Sequence, residues 1–153
     1  MTSEIKAKTY QECFRKLEAL LAGESDQIVI MASISSVLSQ AFEHFYWTGF
    51  YRMLHGELVV GPYQGTPACL RISIGKGVCG TVAQTGVTEV VDDVHAFHGH
   101  IACDVASESE IVIPVKDTDS GELLAVLDID STTKASFDEV DKKYLEMVIT
   151  HFF

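Results

Sequence analysis

Between Tyr10 and Phe42, apolar residues recur at helical spacing: Phe14, Leu17, Leu20 and Leu21, then Ile28, Met31, Ile34, Val37 and Leu38. Residues three and four apart share one helix face, so this spacing predicts two amphipathic helices, with Gly23-Glu24-Ser25-Asp26 as the loop between them. From Phe45 the pattern changes. The runs FYWTGFYRML and LVVGPYQ are aromatic and β-branched and flank His55-Gly56-Glu57, which predicts an antiparallel hairpin.

A third strand is predicted at Cys69 to Ile74, followed by GKGVCGTVAQTG, whose glycines frame a tight loop and a short helix ending at Gly86. TEVV reads as another short strand. Asp92 to Glu108 shows neither period, carries His95, His98 and His100, and is longer than an ordinary connection, which marks it as a functional loop. Strands are predicted at Glu110 to Val115 and Leu123 to Asp130, joined by the turn-rich KDTDSG. A last helix follows, its start marked by Ser136-Phe137-Asp138-Glu139 as a capping box and its apolar stripe made by Val140, Tyr144, Leu145 and Val148. This order implies an α+β fold, an antiparallel sheet with the N- and C-terminal helices packed on one face.

The strand LLAVLDIDS holds the first chemical signal. Period-two alternation puts Leu124, Val126, Asp128 and Asp130 on one face and Ala125, Leu127 and Ile129 on the other, so two acids continue an apolar face. Glu110 opens the preceding strand in phase with Val112. Carboxylates at the end of a core face are costly unless paired or solvated, and a pocket for a cationic ligand accounts for them. The competing reading has Asp130 merely starting the turn before the last helix.

Composition narrows the classes. At 153 residues, 47% apolar and 22% charged, the chain is expected to fold as one globular domain over residues 1–153. The segment MTSEIKAKTYQECFRK has no apolar run or small-residue cleavage site, and no window approaches the ~20 apolar residues of a membrane span, so a soluble cytoplasmic protein is expected. The net charge of −11 opposes nucleic acid as a partner, and Glu89 to Asp141 holds 14 acids against Lys116 and Lys134 alone. In that setting Cys13, Cys69, Cys79 and Cys103 read as reduced thiols with a catalytic, redox or metal role rather than as structural staples.

Gly75-Lys76-Gly77-Val78-Cys79-Gly80 matches G-x-G-x-x-G, but a dinucleotide site needs a βαβ unit with a full crossover helix, and Gly86 cuts this helix after about two turns. His95, His98, His100, Cys103 and Asp104 are metal-ligand types, but their spacing matches no recurrent structural zinc pattern. No metal or organic cofactor is expected. Cys103 lies in the long loop beside Asp104, where a thiol is accessible, while Cys69 at the start of a strand and Cys79 in the glycine-rich loop do not read as core filling. An attacking thiol with resolving thiols in reach suits a sulfenic acid intermediate, which condenses with a thiol to a disulfide. Cys13, beside Phe14 on the first helix, reads as structural.

The strings GPYQGTPAC, GKGVCGT, DVHAFHGHIACD, SEIVIPV and LDID together resemble the free methionine-R-sulfoxide reductases, a family of single GAF domains, over nearly the whole chain. The resemblance implies a GAF fold with a six-stranded antiparallel sheet. It implies Cys103 as the nucleophile, Cys69 or Cys79 as the thiol that resolves it, and Glu110, Asp128 and Asp130 as substrate-binding acids. Trp47 and Tyr51 in WTGFY match the family's aromatic pocket wall. The implied reaction reduces free methionine sulfoxide through a disulfide recycled by thioredoxin, and a homodimer is compatible with it. One departure is Phe97-His98-Gly99 where the family pattern reads Phe-Pro-Gly. The competing class is a sensory GAF module that binds a small ligand without chemistry.

Overall fold

The computed structural model describes residues 1–153 except Ala102, which belongs to the GHIACD segment and lies outside the described residues. Helices α1 (Ser3–Leu20) and α2 (Gln27–Ala41) precede the hairpin of β1 (Trp47–Leu54) and β2 (Glu57–Gln64). Then come β3 (Arg71–Ser73), α3 (Gly77–Thr85), β4 (Glu89–Val91) and a 3₁₀ turn at Val94–Ala96. β5 (Ser109–Lys116), β6 (Leu123–Ser131) and α4 (Glu139–Phe152) complete the order. The strands form one sheet, β3-β2-β1-β6-β5-β4, with every described pairing antiparallel. This is the α+β architecture expected from the sequence, and the antiparallel pairing leaves no βαβ unit among the described residues for a dinucleotide.

Strand alternation sorts the side chains into two cores. Ala125, Leu127 and Ile129 of β6, with Ile111 and Ile113 of β5, face α1, α2 and α4 and pack on Tyr10, Leu17, Ile34, Leu38 and Leu145. Val126 and Val112 face the opposite side, where Val78, Cys79 and Val82 of α3 and Val94 of the long loop cover them. Leu124, assigned by alternation to the second face, packs partly against the helix-side core instead. Two hydrophobic faces on one sheet require two covers, and the sequence supplies helices for one and a short helix with loops for the other.

Three local expectations are corrected. α1 begins at Ser3, well before the apolar periodicity, with Thr2 Oγ1 accepting the Ile5 amide at its start. Its first turns are held by Lys6, 5% exposed, whose ammonium donates to Asp141 at 2.7 Å and Asp138 at 3.1 Å on α4. The cap of α4 is Asp138, not Ser136: Asp138 accepts the Val140 and Asp141 amides while Asp141 accepts the Asp138 amide. The Ser136 hydroxyl is engaged with Ser131 Oγ and the Thr133 carbonyl. β3 is only Arg71–Ser73, so Cys69 lies ahead of it in irregular backbone. No described helix is long and apolar enough to cross a membrane.

Candidate active site

Register brings the singled-out residues into two transverse rows on the α3 side of the sheet. Trp47 pairs with Asp130, Asp130 with Glu110, and Glu110 with Val91. In the neighbouring row Tyr63 pairs with Gly49, Gly49 with Asp128, and Asp128 with Val112. Trp47, Glu110, Asp128 and Asp130 of these rows floor a pocket of about 540 Å³, counting its open mouth, lined also by Tyr51, Thr66, Lys76, Cys79, His100, Cys103 and Ser107.

Glu110 and Asp128 are each only 6% exposed. Burial pushes both carboxyl groups up from their ordinary values, Glu110 far more, with the charges of Asp128 and Asp130 adding to the effect there. Asp130 is also pushed well up, by burial first and by Asp128 second. Three carboxyls in adjacent positions of the sheet oppose one another's ionisation, and burial adds to that opposition. No amide, hydroxyl or cationic donor among the described residues reaches the buried Asp128 Oδ1.

The cysteines separate into a pair and two single thiols. Cys69 and Cys103 form a disulfide, with Cα atoms 5.3 Å apart and a sequence separation of 34. It joins the segment before β3 to the long loop at the pocket, so of the two thiols suggested by sequence as partners of Cys103, the structure pairs Cys69. Cys79 is a free thiol, 4% exposed, its Sγ donating to Glu110 Oε1 at 3.8 Å. It does fill the core after all: α3 presses Val78 and Cys79 onto β5 and β6. Burial and the neighbouring acids push its thiol well above the ordinary range. Cys13 is buried in the helix-side core, as expected, and burial raises it to about 11.

Trp47 and Tyr51 form one wall. The indole stacks on Tyr63 at 5.0 Å and on Tyr51 at 5.7 Å between ring centroids, and its Nε1 donates to the Thr66 carbonyl at 3.0 Å. Two glycines make room. A Cβ on Gly49 would collide with Tyr63, and one on Gly65, whose φ is +140°, would lie 2.6 Å from Trp47 Cδ1.

Several lining residues had weak sequence signals. Asp104 accepts from Thr66 Oγ1 at 2.7 Å, from Tyr46 Oη at 2.9 Å and from the Ala106 amide at 2.8 Å, so it ties the Cys103 loop to the segment before Cys69. These donors hold its carboxyl below the usual value. Lys76 supplies the one ammonium among the described lining residues, at the start of α3. Thr66 lies in the GPYQGTPAC string without a role assigned from sequence, and Ser107 carries no period or motif of its own; the fold shows their place. Among the described residues two groups bring metal-ligand atoms together, Cys79 with Glu110 and Asp128, and Asp93 with His95 and Glu108. The loop set of three histidines with Cys103 is not among them, and Cys103 is bonded to Cys69.

Residues 11–152 match the GAF domain family. Protein YtsP of Bacillus subtilis (strain 168) is 49% identical over 142 residues, covering 92% of this chain and 86% of that protein. The free methionine-R-sulfoxide reductase of Escherichia coli (strain K12) is 40% identical over 144 residues, covering 94% and 86%. The X-ray structure of free methionine-R-sulfoxide reductase from Neisseria meningitidis in complex with its substrate superposes with a TM-score of 0.89 at 41% identity, covering 97% of this chain and 90% of that one. From its six-stranded sheet and the near full-length extent of these matches, the chain belongs to the GAF domain family and is a close relative of its free methionine-R-sulfoxide reductases.

Proposed function

We propose that the protein reduces free L-methionine-(R)-sulfoxide to methionine, with Cys103 as nucleophile and Cys69 as the thiol that resolves it. The observation that carries this reading is the Cys69–Cys103 pair at a pocket floored by buried acids. Relatives of about 40% identity that bear this activity in their names supply the substrate.

The Cys103 thiolate attacks the sulfoxide sulfur. The oxygen is protonated as it transfers, methionine leaves, and Cys103 becomes a sulfenic acid. The Cys69 thiol attacks that sulfur, releases water and closes the disulfide. A dithiol such as thioredoxin, with a potential of about −270 mV, returns both thiols, which suits a reducing compartment.

Acids around a thiol ordinarily oppose its ionisation. Here the cluster retains protons, so it adds less negative charge than its three carboxyls imply. Glu110, buried and pushed well up, donates to the sulfoxide oxygen, while Asp128 and Asp130 receive the substrate ammonium. Lys76 meets the substrate carboxylate, and the Trp47 face holds the S-methyl group. A free amino acid satisfies both charged ends; a residue within a peptide chain has neither.

A thioredoxin-coupled assay with the separate R and S epimers of free methionine sulfoxide tests the reading. Consumption of the R epimer and little turnover of a sulfoxide-containing peptide are expected. Failure to consume either free epimer overturns it.

A further inference from the structure

The proposed cycle uses Cys69 and Cys103 but leaves Cys79 without a role. Its sulfur sits in the acid cluster, and the ligand atoms of Cys79, Glu110 and Asp128 all lie within 4.8 Å of one another. All three residues are more than nine-tenths buried. A tetrahedral ion with a metal–sulfur bond of ~2.3 Å and metal–oxygen bonds of ~2.1 Å places sulfur and oxygen ligands about 3.6 Å apart. The Cys79 Sγ to Glu110 Oε1 separation is 3.8 Å. A second observation points the same way: Asp128 lines the pocket, and its buried Oδ1 has no amide, hydroxyl or cationic donor among the described residues.

We propose that Cys79, Glu110 and Asp128 form a site for a thiophilic divalent cation of the zinc class, occupied in competition with the amino acid substrate. One sulfur and two carboxylate oxygens make three protein ligands, and the fourth position opens into the pocket and takes water. On binding, the Cys79 thiol and any protonated carboxyl of the triad release their protons to solvent, and the ion replaces them with no change of oxidation state. Calcium and magnesium, which take oxygen ligands in larger or octahedral shells, do not fit a three-ligand set that includes sulfur. The competition rests on the proposed function, because Glu110 and Asp128 are groups assigned there to the substrate; the metal site itself does not. An ion seated there removes the proton donor and an ammonium partner together, which makes free zinc an inhibitor of the reduced enzyme.

Cobalt(II) is the probe, added to the fully reduced protein after chelator treatment. The expected result is one equivalent bound with a thiolate-to-cobalt charge-transfer band, displaced by zinc and unaffected by excess magnesium or calcium. The band should vanish in Cys79→Ser and weaken at least tenfold in apparent affinity in Asp128→Asn. It should persist in the double variant Cys69→Ser/Cys103→Ser, which has no redox pair and no turnover. Absence of the band in the wild type, its survival in a folded Cys79→Ser protein, or its loss in the double variant overturns the site. Near-UV circular dichroism of each variant without metal establishes that the fold is intact. Saturating free methionine sulfoxide, added to the double variant, should weaken cobalt binding at least tenfold; unchanged affinity overturns the competition. Because the double variant has no turnover, these readings are independent of the coupled assay, so failure of the metal site and failure of the proposed activity are told apart.

Discussion

Glu110 and Asp130 face each other directly across the β5–β6 pair, and Trp47 continues their row on β1. Two acids opposite one another on neighbouring strands repel when both are charged. The sheet fixes their backbones, so the repulsion is relieved by a proton or a bound cation and not by movement apart.

Replacing Glu110 with Gln preserves shape and removes the titrating proton. The expected result is a fall in kcat of roughly 100-fold or more, the usual scale for a lost general acid. A single-turnover measurement of methionine release from the reduced enzyme checks it; an unchanged rate removes Glu110 from the chemistry.

The cysteine series separates three roles. Cys103→Ser should abolish turnover while still binding the substrate. Cys69→Ser should release about one equivalent of methionine and then stall with Cys103 oxidised, while Cys79→Ser should still form the Cys69–Cys103 disulfide. Peptide mapping without reduction, after one round of substrate, reads all three. A disulfide between Cys79 and Cys103 in the wild type would reverse the roles of Cys69 and Cys79.

Gly65→Ala places a methyl against Trp47 in a backbone conformation that side chains resist. The indole must shift, and kcat/KM should fall roughly 10- to 100-fold, the cost of a small misplacement at a reacting centre. Trp47 is the only tryptophan of the chain, so its fluorescence reports the displacement without ambiguity. Unchanged emission with unchanged kinetics would show that this contact does not set the wall.

A pH effect on stability is expected on the opposite face, at His44. Its ring lies among Phe42, Phe45 and Phe137, its Nε2 is buried with no hydrogen-bond partner among the described residues, and burial lowers its pKa. Lys6 and the N-terminal ammonium lower it further, while Asp141 opposes them. A base whose folded pKa is depressed contributes stability above its unfolded pKa of about 6.5 and loses it as pH falls toward the folded value. Unfolding free energy should therefore drop as the pH falls below about 6.5, the unfolded value of the imidazole. His44→Phe should flatten that part of the profile, and equal slopes for the two proteins would assign the effect elsewhere.

The legible parts of the sequence were those with a strict period. β6 exposes its acids through alternation, and the glycine-bounded α3 ends where its C-cap Gly86 stands. The first turns of α1 were invisible because they are held by Lys6 and Asp141, a buried ion pair that no hydrophobic period announces. Sequence places the capping box two residues early because Ser136 and Asp138 both have side chains fit to cap, and hydrogen bonds available only in the fold decide between them. The choice between Cys69 and Cys79 was likewise closed to sequence. It depends on how Asp104 draws the long loop to Thr66 and Tyr46, a tertiary tie with no local signature.

The central β1–β6 pairing sets the order in which a newly made chain acquires chemistry. Its partners come from opposite ends of the sheet-forming sequence, and they bring Trp47, Asp128 and Asp130 into one site. All four cysteines are synthesised before β6, so a growing chain carries its thiols before it has the floor of a pocket. Only closure of the last central strand assembles the acids beneath Cys103. A chain cut short before β6 therefore keeps every cysteine and lacks Asp128 and Asp130, and the finished sheet is what gives the thiols their acidic surroundings.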